Sequence, residues 1–146
     1  MILDESLLAV LPAEVGGVTV SSEPDAFAQT GADPDFARNV ESAVFAIAPG
    51  TDDLASGVIA RLRPGVYSDE MFRDWRDSYN EGACGQAGGL GGNAEAELGG
   101  RTVYIASCNG GVRVYHAYLP ERGVIVSLLS LGTKRFGEQL MGKLRP

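Results

Sequence analysis

His116 is the residue best suited to acid–base chemistry, and it is the only histidine of the chain. An imidazole can serve as a general base or as a pH switch near neutral pH. Catalysis also needs a nucleophile and an orienting acid within hydrogen-bond reach, and no motif in the sequence supplies them. Because His116 lies mid-strand with Val114 and Tyr118, we expect a structural histidine. A small hydrolase-type enzyme that uses His116 is the alternative.

Cys84 and Cys108 are the two cysteines of the chain. Two thiols are too few for a zinc cage, and they do not form a C-x-x-C pair. A nucleophilic Cys108 would need a positively charged environment, which its sequence neighbours do not provide. We therefore predict a Cys84–Cys108 disulfide, with buried thiols as the alternative. The bridge would stabilise the fold by about 3 kcal/mol and would imply an oxidising compartment.

Acidic and glycine-rich segments give no further catalytic motif. Glu95 and Glu97 project from one side of a strand about 7 Å apart, in parallel, as on a solvated face. The glycine-rich segment 85–92 follows a helix and precedes a strand, which is the reverse of a phosphate-binding loop. We interpret it as a mobile connector that can contact a partner. The sequence thus predicts no catalytic residue, no metal site and no cofactor.

Aromatic residues indicate where a ligand could bind. Trp75 and Tyr79 fall on one stripe of a predicted helix, and Tyr115 lies on a predicted strand. A pocket is expected between the Trp75 helix and the sheet, where tyrosine hydroxyls could meet Arg113. The residues predicted to contact a ligand or partner are Trp75, Tyr79, Arg113, Tyr115 and His116.

Charge and hydropathy restrict the partners. The net charge of −7 argues against a nucleic-acid partner, and residues 1–60 carry ten acidic residues against the single Arg38. No stretch approaches the roughly 18 consecutive apolar residues of a membrane span. The N-terminus shows no signal peptide, so the protein is either cytosolic or separated from a leader, which could have carried a lipid anchor. We favour an extracytoplasmic or secreted protein because of the predicted disulfide.

The C-terminal half contains four strand-like segments separated by turn residues, and these predict an antiparallel meander. Asn109-Gly110 favours the positive φ angles of a tight hairpin turn, and Pro120 presets φ for the next turn. One strand is apolar on both sides and is therefore placed centrally. The predicted strands are Asn93–Leu98, Arg101–Cys108, Val112–Leu119 and the central Val124–Leu131. Alternation puts Val112, Val114, His116 and Tyr118 on one face, and Arg113, Tyr115, Ala117 and Leu119 on the other.

In the sequence, one predicted helix precedes this meander and another follows it. One runs from about Asp69 to Glu81, with Ser68 as N-cap and Gly82 as terminator. The other begins near Thr133 and turns Phe136, Leu140, Met141 and Leu144 inward. In the first half we predict a short helix Glu5–Leu11, a strand Gly17–Ser22, a helix Asp33–Val40 capped by Asp33, and strands Ala43–Ala48 and Ser56–Leu62. Residues 1–146 are thus predicted to form a single α+β domain with an antiparallel sheet flanked by helices.

This order of elements resembles the Mog1/PsbP-like group of antiparallel sheets flanked by helices. The segment Leu11-Pro12-Ala13-Glu14-Val15-Gly16-Gly17-Val18 resembles the opening of uncharacterised secreted and lipoprotein domains of GC-rich bacteria. The resemblance implies a binding, assembly or sensor module rather than an enzyme, and it carries over no functional residue. Our first hypothesis is therefore a non-enzymatic extracytoplasmic module that binds an unknown protein or small molecule. A structural subunit that assembles through an edge strand such as Asn93–Leu98 is a further alternative.

Overall fold

The computed structural model describes residues 1–31 and 33–146. In these residues ten strands, four α-helices and one 3-10 helix follow one another along the chain. The strands are β1 (Ile2–Leu3), β2 (Glu14–Val15), β3 (Val18–Thr19), β4 (Ser21–Ser22), β5 (Val40–Pro49), β6 (Leu54–Leu62), β7 (Leu90–Leu98), β8 (Arg101–Cys108), β9 (Arg113–Leu119) and β10 (Val124–Leu131). The helices are α1 (Pro24–Gly31), α2 (Pro34–Asn39), α3 (Asp69–Gly85) and α4 (Phe136–Met141), and the 3-10 helix is Glu5–Val10.

One mixed sheet organises the fold, with strand order β1-β5-β6-β10-β9-β8-β7 and β4 added beside β5. Among the described residues, the two-residue β1 pairs in parallel with β5, and the other pairs of this sheet are antiparallel. The predicted α+β class and the C-terminal meander are therefore confirmed. The apolar β10 lies between β6 and β9, as its two-sided apolar pattern predicts.

Helices cover both faces of the sheet. Helix α4 and the 3-10 helix pack on one face, where the largest buried cluster includes Leu7, Tyr115, Phe136 and Leu140. Helix α3 packs on the other face together with α2, over a second cluster that includes Val58, Phe72 and Ile125. Alternation along β9 consequently separates its side chains between two helical layers.

Helix α3 begins as the sequence predicts, because the Ser68 side chain accepts a hydrogen bond from the Met71 backbone amide at 3.0 Å. Its predicted end at Gly82 is wrong, since the helix continues to Gly85. The additional turn brings Cys84 onto the sheet, where Cys84 is 1% exposed. Burial of this side chain favours one more helical turn over the termination expected at a glycine.

The other helix boundaries also show where tertiary contacts override local preference. Helix α2 has Asp33 as its N-cap, as predicted. Helix α4 begins at Phe136 rather than near Thr133, because Arg135 adopts a left-handed conformation with φ of 52°. The buried carboxylate of Asp53 accepts a hydrogen bond from the Lys134 backbone amide at 2.8 Å and holds this bend. Helix α1 is absent from the sequence prediction.

The predicted strand Gly17–Ser22 is divided in the structure. Strand β3 pairs with β2 in a separate hairpin, whereas β4 pairs with β5 in the main sheet. Gly16 and Gly17 have φ angles of 55° and 79° and form the turn of that hairpin. The segment Glu5–Leu11 forms a 3-10 helix rather than an α-helix and ends before Leu11.

Candidate functional site

Three of the five residues predicted to contact a ligand meet beneath helix α3. Trp75 and Tyr79 lie on α3, and His116 lies below them on β9. The Tyr79 ring meets the His116 ring edge-on, with 5.4 Å between the centroids. The structure thus joins these residues in one partly polar cluster between helix and sheet.

Arg113 and Tyr115 lie on the opposite face of the sheet. Tyr115 is fully buried in the cluster beneath α4, and Arg113 shares its face because the two residues are two apart on β9. The prediction that tyrosine hydroxyls meet Arg113 in a pocket under the Trp75 helix is therefore wrong. Burial raises the pKa of Tyr115, and the nearby Arg113 opposes part of that shift.

A chain of hydrogen bonds connects His116 to residues from β10 and α3. His116 Nδ1 lies 2.7 Å from Ser127 Oγ, and His116 Nε2 lies 2.7 Å from Asn80 Oδ1. The Trp75 indole N–H donates to Ser127 Oγ at 2.9 Å. Because β9 and β10 pair with His116 directly opposite Ser127, the sheet register itself places the imidazole beside the hydroxyl.

The acceptor at Asn80 fixes the direction of this chain. An amide oxygen can only accept, so His116 donates its Nε2–H to Asn80. Nδ1 then accepts a hydrogen bond from the Ser127 hydroxyl, whose oxygen also accepts from Trp75. A neutral imidazole satisfies every one of these groups, whereas a protonated imidazole would present a second donor to Ser127.

Burial keeps the imidazole neutral. His116 is 0% exposed, and this burial lowers its pKa to about 3, with a further lowering by the positive charge of Arg76. The nearby Asp77 carboxylate opposes the shift. His116 therefore does not change charge in the range in which an ordinary histidine acts as a base or switch.

Ser127, His116 and Asn80 have the donor–acceptor order of a serine nucleophile, a base and an orienting amide. The nucleophile position is closed, because Ser127 is 0% exposed and its oxygen is engaged by the Trp75 indole. A cavity of about 220 Å³ lies between α3 and the strands β7 and β8. It reaches the other end of the series of hydrogen bonds, at His116 and Asn80. Ser127 does not line this cavity, and His116 and Asn80 are buried at its edge, so a substrate in it would not reach the hydroxyl.

Next to this cavity lies a larger opening, which we call the arginine–tyrosine groove. Its volume is about 490 Å³, and it runs between the first half of α3 and the ends of β8 and β9. Its lining residues are Tyr67, Asp69, Phe72, Arg73, Arg76, Arg101, Thr102, Tyr104, Tyr118 and Pro120. Arg76 and Tyr104 also line the 220 Å³ cavity, so the two openings adjoin.

The aromatic walls of the arginine–tyrosine groove are packed against one another. Tyr67 and Tyr118 stack with their ring centroids 3.7 Å apart. Phe72 contacts Tyr104 at a centroid distance of 5.4 Å, and the Arg76 guanidinium lies 5.4 Å from the Tyr104 centroid. Burial, followed by the negative charge of Asp69, raises the pKa of Tyr67. These contacts hold flat apolar surfaces beside positively charged groups.

A second groove, of about 630 Å³, lies on the other side of α3, against α2. Trp75 and Phe36 form its apolar wall, with their ring centroids 5.2 Å apart. Its charged rim is mixed, because Asp35 and Arg38 form an exposed ion pair at 3.0 Å. Asp33 and Asp74 also line this groove, so its apolar wall is combined with an excess of negative charge, three aspartates against one arginine.

The predicted disulfide is present between Cys84 and Cys108, with 5.1 Å between the Cα atoms. It joins the end of α3 to the end of β8 and lies beside the glycine-rich segment.

The glycine-rich segment is bonded to the turn between β8 and β9. Backbone amides of Asn109 and Gly110 donate to the carbonyls of Gly89 and Ala87 at 2.8 and 2.7 Å. The segment interpreted as a mobile connector is thus joined by hydrogen bonds to the β8–β9 turn. A Cβ at Gly110 would approach the Ala87 carbonyl oxygen to 2.7 Å, so close backbone approach explains this glycine.

The paired acids Glu95 and Glu97 lie on the surface of the protein. Glu95 and Glu97 are exposed on β7, and Glu97 accepts a hydrogen bond from the Thr102 hydroxyl at 2.6 Å. Across residues 1–31 and 33–146, no group of three or more histidine, cysteine, aspartate or glutamate side chains has a metal-binding arrangement. Within the same residues no helix has the length and apolar composition needed to cross a membrane.

Sequence reasoning missed Ser127, Asn80 and the arginines of the groove. Ser127 carried a usable signal, since it is a hydroxyl within an apolar strand that predicts burial on both faces. The signal at Asn80 was weaker. Asn80 is a polar residue that directly follows Tyr79, and Tyr79 belongs to the apolar stripe of α3. The arginines gave no sequence signal, because Arg101 lies distant from Arg73 and Arg76 along the chain.

Comparison with known proteins adds no relationship, since no family model matches the chain and neither a curated protein nor a solved structure is significantly similar to it.

Proposed function

We propose that this chain is a non-enzymatic extracytoplasmic binding or sensor module that holds its ligand in the arginine–tyrosine groove. The observation that carries the proposal is the composition of this groove, which combines aromatic walls with several charged groups around about 490 Å³. Ligand sites in proteins are typically concave, of a few hundred Å³, and lined by apolar surface with a few polar groups. The groove has a volume in this range, and its aromatic walls are combined with a strongly polar lining that includes three arginines and one aspartate.

The disulfide supports the extracytoplasmic part of the proposal. Disulfides form and persist in oxidising compartments and are rare where thiols are kept reduced. The compartment is tested by alkylating protein taken directly from its native cells, without reduction, and measuring its intact mass. We expect no alkylated cysteine, and two alkylated cysteines would contradict the assignment.

A serine hydrolase is the second candidate, and the order of Ser127, His116 and Asn80 favours it. The burial of Ser127 under Trp75 argues against it, because an ester carbonyl has no path to the hydroxyl unless the indole moves. The test is hydrolysis of p-nitrophenyl acetate by wild-type protein and by Ser127→Ala. We expect the same background rate for both proteins. A wild-type rate that Ser127→Ala abolishes would establish the enzyme and refute the binding module.

Assembly through the edge strand remains a further alternative. Strand β7 is the last strand of the sheet, and on its outer side it has no partner strand among the residues that the structure describes. Exposed Glu95 and Glu97 lie on this strand, and charges of this kind oppose pairing between edges. Light scattering at high protein concentration tests this alternative, and we expect a monomer.

Ligand binding itself is tested by ¹⁵N–¹H NMR with a panel of small aromatic acids, aromatic amines, sugars and short peptides. We expect saturable shifts for at least one class, centred on the backbone amides around Phe72, Tyr104 and Tyr118. The variant Tyr104→Ala removes a wall of the groove and is expected to weaken binding at least fivefold. Its control is Leu131→Ala, since Leu131 is an exposed apolar residue outside the groove. Shifts confined to other surfaces would refute this site.

A further inference from the structure

The arginine–tyrosine groove carries a positive charge that contrasts with the rest of the protein. Its lining contains Arg73, Arg76 and Arg101 and a single carboxylate, that of Asp69. All of its lining residues fall between positions 67 and 120, so the strongly acidic segment 1–60 contributes none of them. In a chain of net charge −7, such a local excess of guanidinium groups favours an anionic occupant.

Two of these guanidinium groups are held in place before any ligand binds. The Arg76 side chain is 24% exposed, and its Nε contacts Asp77 at 3.1 Å while the group lies over the Tyr104 ring. The Arg101 side chain is 20% exposed and lies 3.7 Å from a carboxylate oxygen of Glu121. Side chains ordered in this way lose less conformational entropy when they bind.

Arg76 and Arg101 retain N–H groups that can donate hydrogen bonds to a ligand. A guanidinium carries five N–H donors, and each of the two contacts above involves one nitrogen. Asp77 and Glu121 do not line the groove, so they leave its interior without a further carboxylate. Arg73 is exposed and forms no ion pair with any residue in 1–31 or 33–146. Guanidinium groups bind carboxylate, sulfate and phosphate oxygens in pairs of parallel hydrogen bonds.

The walls of the groove add a preference for a flat ring. The stacked Tyr67–Tyr118 pair and Tyr104 present aromatic surface to the same space as the arginines, whereas Phe72 is buried and packs against Tyr104. An aromatic ring can stack on these faces, while an oxyanion attached to it reaches the guanidinium groups. A free inorganic anion would use only the second of these contacts.

We infer that the ligand of this protein is a small aromatic compound bearing an oxyanion group, such as an aryl carboxylate, sulfate or phosphate. The inference rests on the proposed binding function and specifies the ligand class of the same groove. The ring lies against the tyrosines, and the oxyanion accepts hydrogen bonds from Arg73, Arg76 and Arg101.

Phenyl phosphate is the test ligand, followed by ¹⁵N–¹H NMR that includes the arginine Nε signals. Phenol tests the ring without the anion, inorganic phosphate tests the anion without the ring, and benzoate tests a different oxyanion. We expect phenyl phosphate and benzoate to bind at least tenfold more tightly than phenol or inorganic phosphate. Added salt at about 0.5 M should weaken their binding severalfold by screening the charges.

The variant Arg101→Gln should weaken phenyl phosphate binding about tenfold, with a similar effect for Arg73→Gln. The control Arg145→Gln removes an exposed arginine near the C-terminus and should change the affinity less than twofold. Because Arg73 is exposed and has no ion-pair partner within the described parts of the chain, Arg73→Gln tests the charge without breaking such a pair.

Three results would overturn the inference. Equal affinity for phenol and phenyl phosphate would show that the groove binds rings without regard to charge, and the binding function would then stand without the anion. Inorganic phosphate that binds as tightly as phenyl phosphate would remove the aromatic requirement. Absence of saturable binding by every anion, with binding of neutral compounds from the wider panel, would refute the ligand class and leave the binding function in place.

Discussion

The buried His116 makes the stability of this protein depend on pH, and the size of the effect follows from the structure. In the unfolded chain an imidazole titrates near pH 6.5, whereas in the folded protein burial lowers the pKa of His116 to about 3. Between these values the unfolded state binds a proton that the folded state does not bind. The folded state therefore loses stability as the pH falls below about 6.5.

From pH 7 to pH 5 the expected loss in the free energy of unfolding is about 2 kcal/mol, and it reaches about 4 kcal/mol at pH 3. A domain of this kind has a total stability of roughly 5–15 kcal/mol, so the effect is large. Because His116 is the only histidine, no other side chain with an ordinary pKa titrates between pH 5 and pH 7.

Urea unfolding at half-unit steps of pH from 7 to 5 measures this loss. The variant His116→Gln replaces the imidazole by a neutral amide, and its free energy of unfolding should change by less than about 0.5 kcal/mol over the same range. Comparing the slopes of the free energy of unfolding against pH removes any constant difference in stability between the two proteins. Equal slopes for wild type and His116→Gln would refute the reasoning.

A second measurement does not require the variant to fold. In folded wild-type protein the ¹H signals of the His116 ring should stay constant from pH 8 to pH 5, because the imidazole remains neutral. A titration with a midpoint near 6.5 would show that the ring is solvated rather than sealed beneath α3.

Three further predictions concern the elements around the site. Ser127→Ala removes the acceptor of the Trp75 indole and the partner of the imidazole, and should cost about 2–4 kcal/mol in urea unfolding because two buried polar groups lose their partners. Replacing both Cys84 and Cys108 by alanine should lower the free energy of unfolding by about 3 kcal/mol in the same assay, because the unfolded chain regains loop entropy. Gly137→Ala should destabilise by about 1–3 kcal/mol, since its Cβ would approach the Tyr115 ring to 2.9 Å, and the loss is measured as a lower thermal midpoint.

Each of these predictions has a matched comparison. Ser56→Ala changes a half-buried strand serine that lies outside the hydrogen-bonded group of Trp75, Ser127, His116 and Asn80, so a loss equal to that of Ser127→Ala would contradict the first prediction. Wild type treated with reductant should unfold at the same urea concentration as the double cysteine variant. Gly82→Ala places its Cβ in open space within α3 and should stabilise by up to about 1 kcal/mol, opposite in sign to Gly137→Ala.

Local patterns account for the parts of the fold that the sequence predicts correctly. The meander is predicted by the alternation of side chains along each strand and by turn residues such as Asn109-Gly110. Both act within a few positions of one another. Helix α3 begins where Ser68 can cap it, and this too is an interaction over three residues. The errors, at Gly82 and near Thr133, arise where distant partners such as Cys108 and Asp53 decide the backbone.

The sequence by itself determined the antiparallel meander, the amphipathic helix over it and a cysteine pair available for bridging, because short-range sterics and hydrophobic period encode these features. Only the tertiary structure decided that Ser127 and Asn80 surround His116, that Arg113 and Tyr115 face away, and that arginines from a helix and a strand share one groove. The indole–hydroxyl contact joins residues 52 positions apart. Such contacts depend on strand register and helix placement, which the packing of the whole core selects and which no single segment specifies.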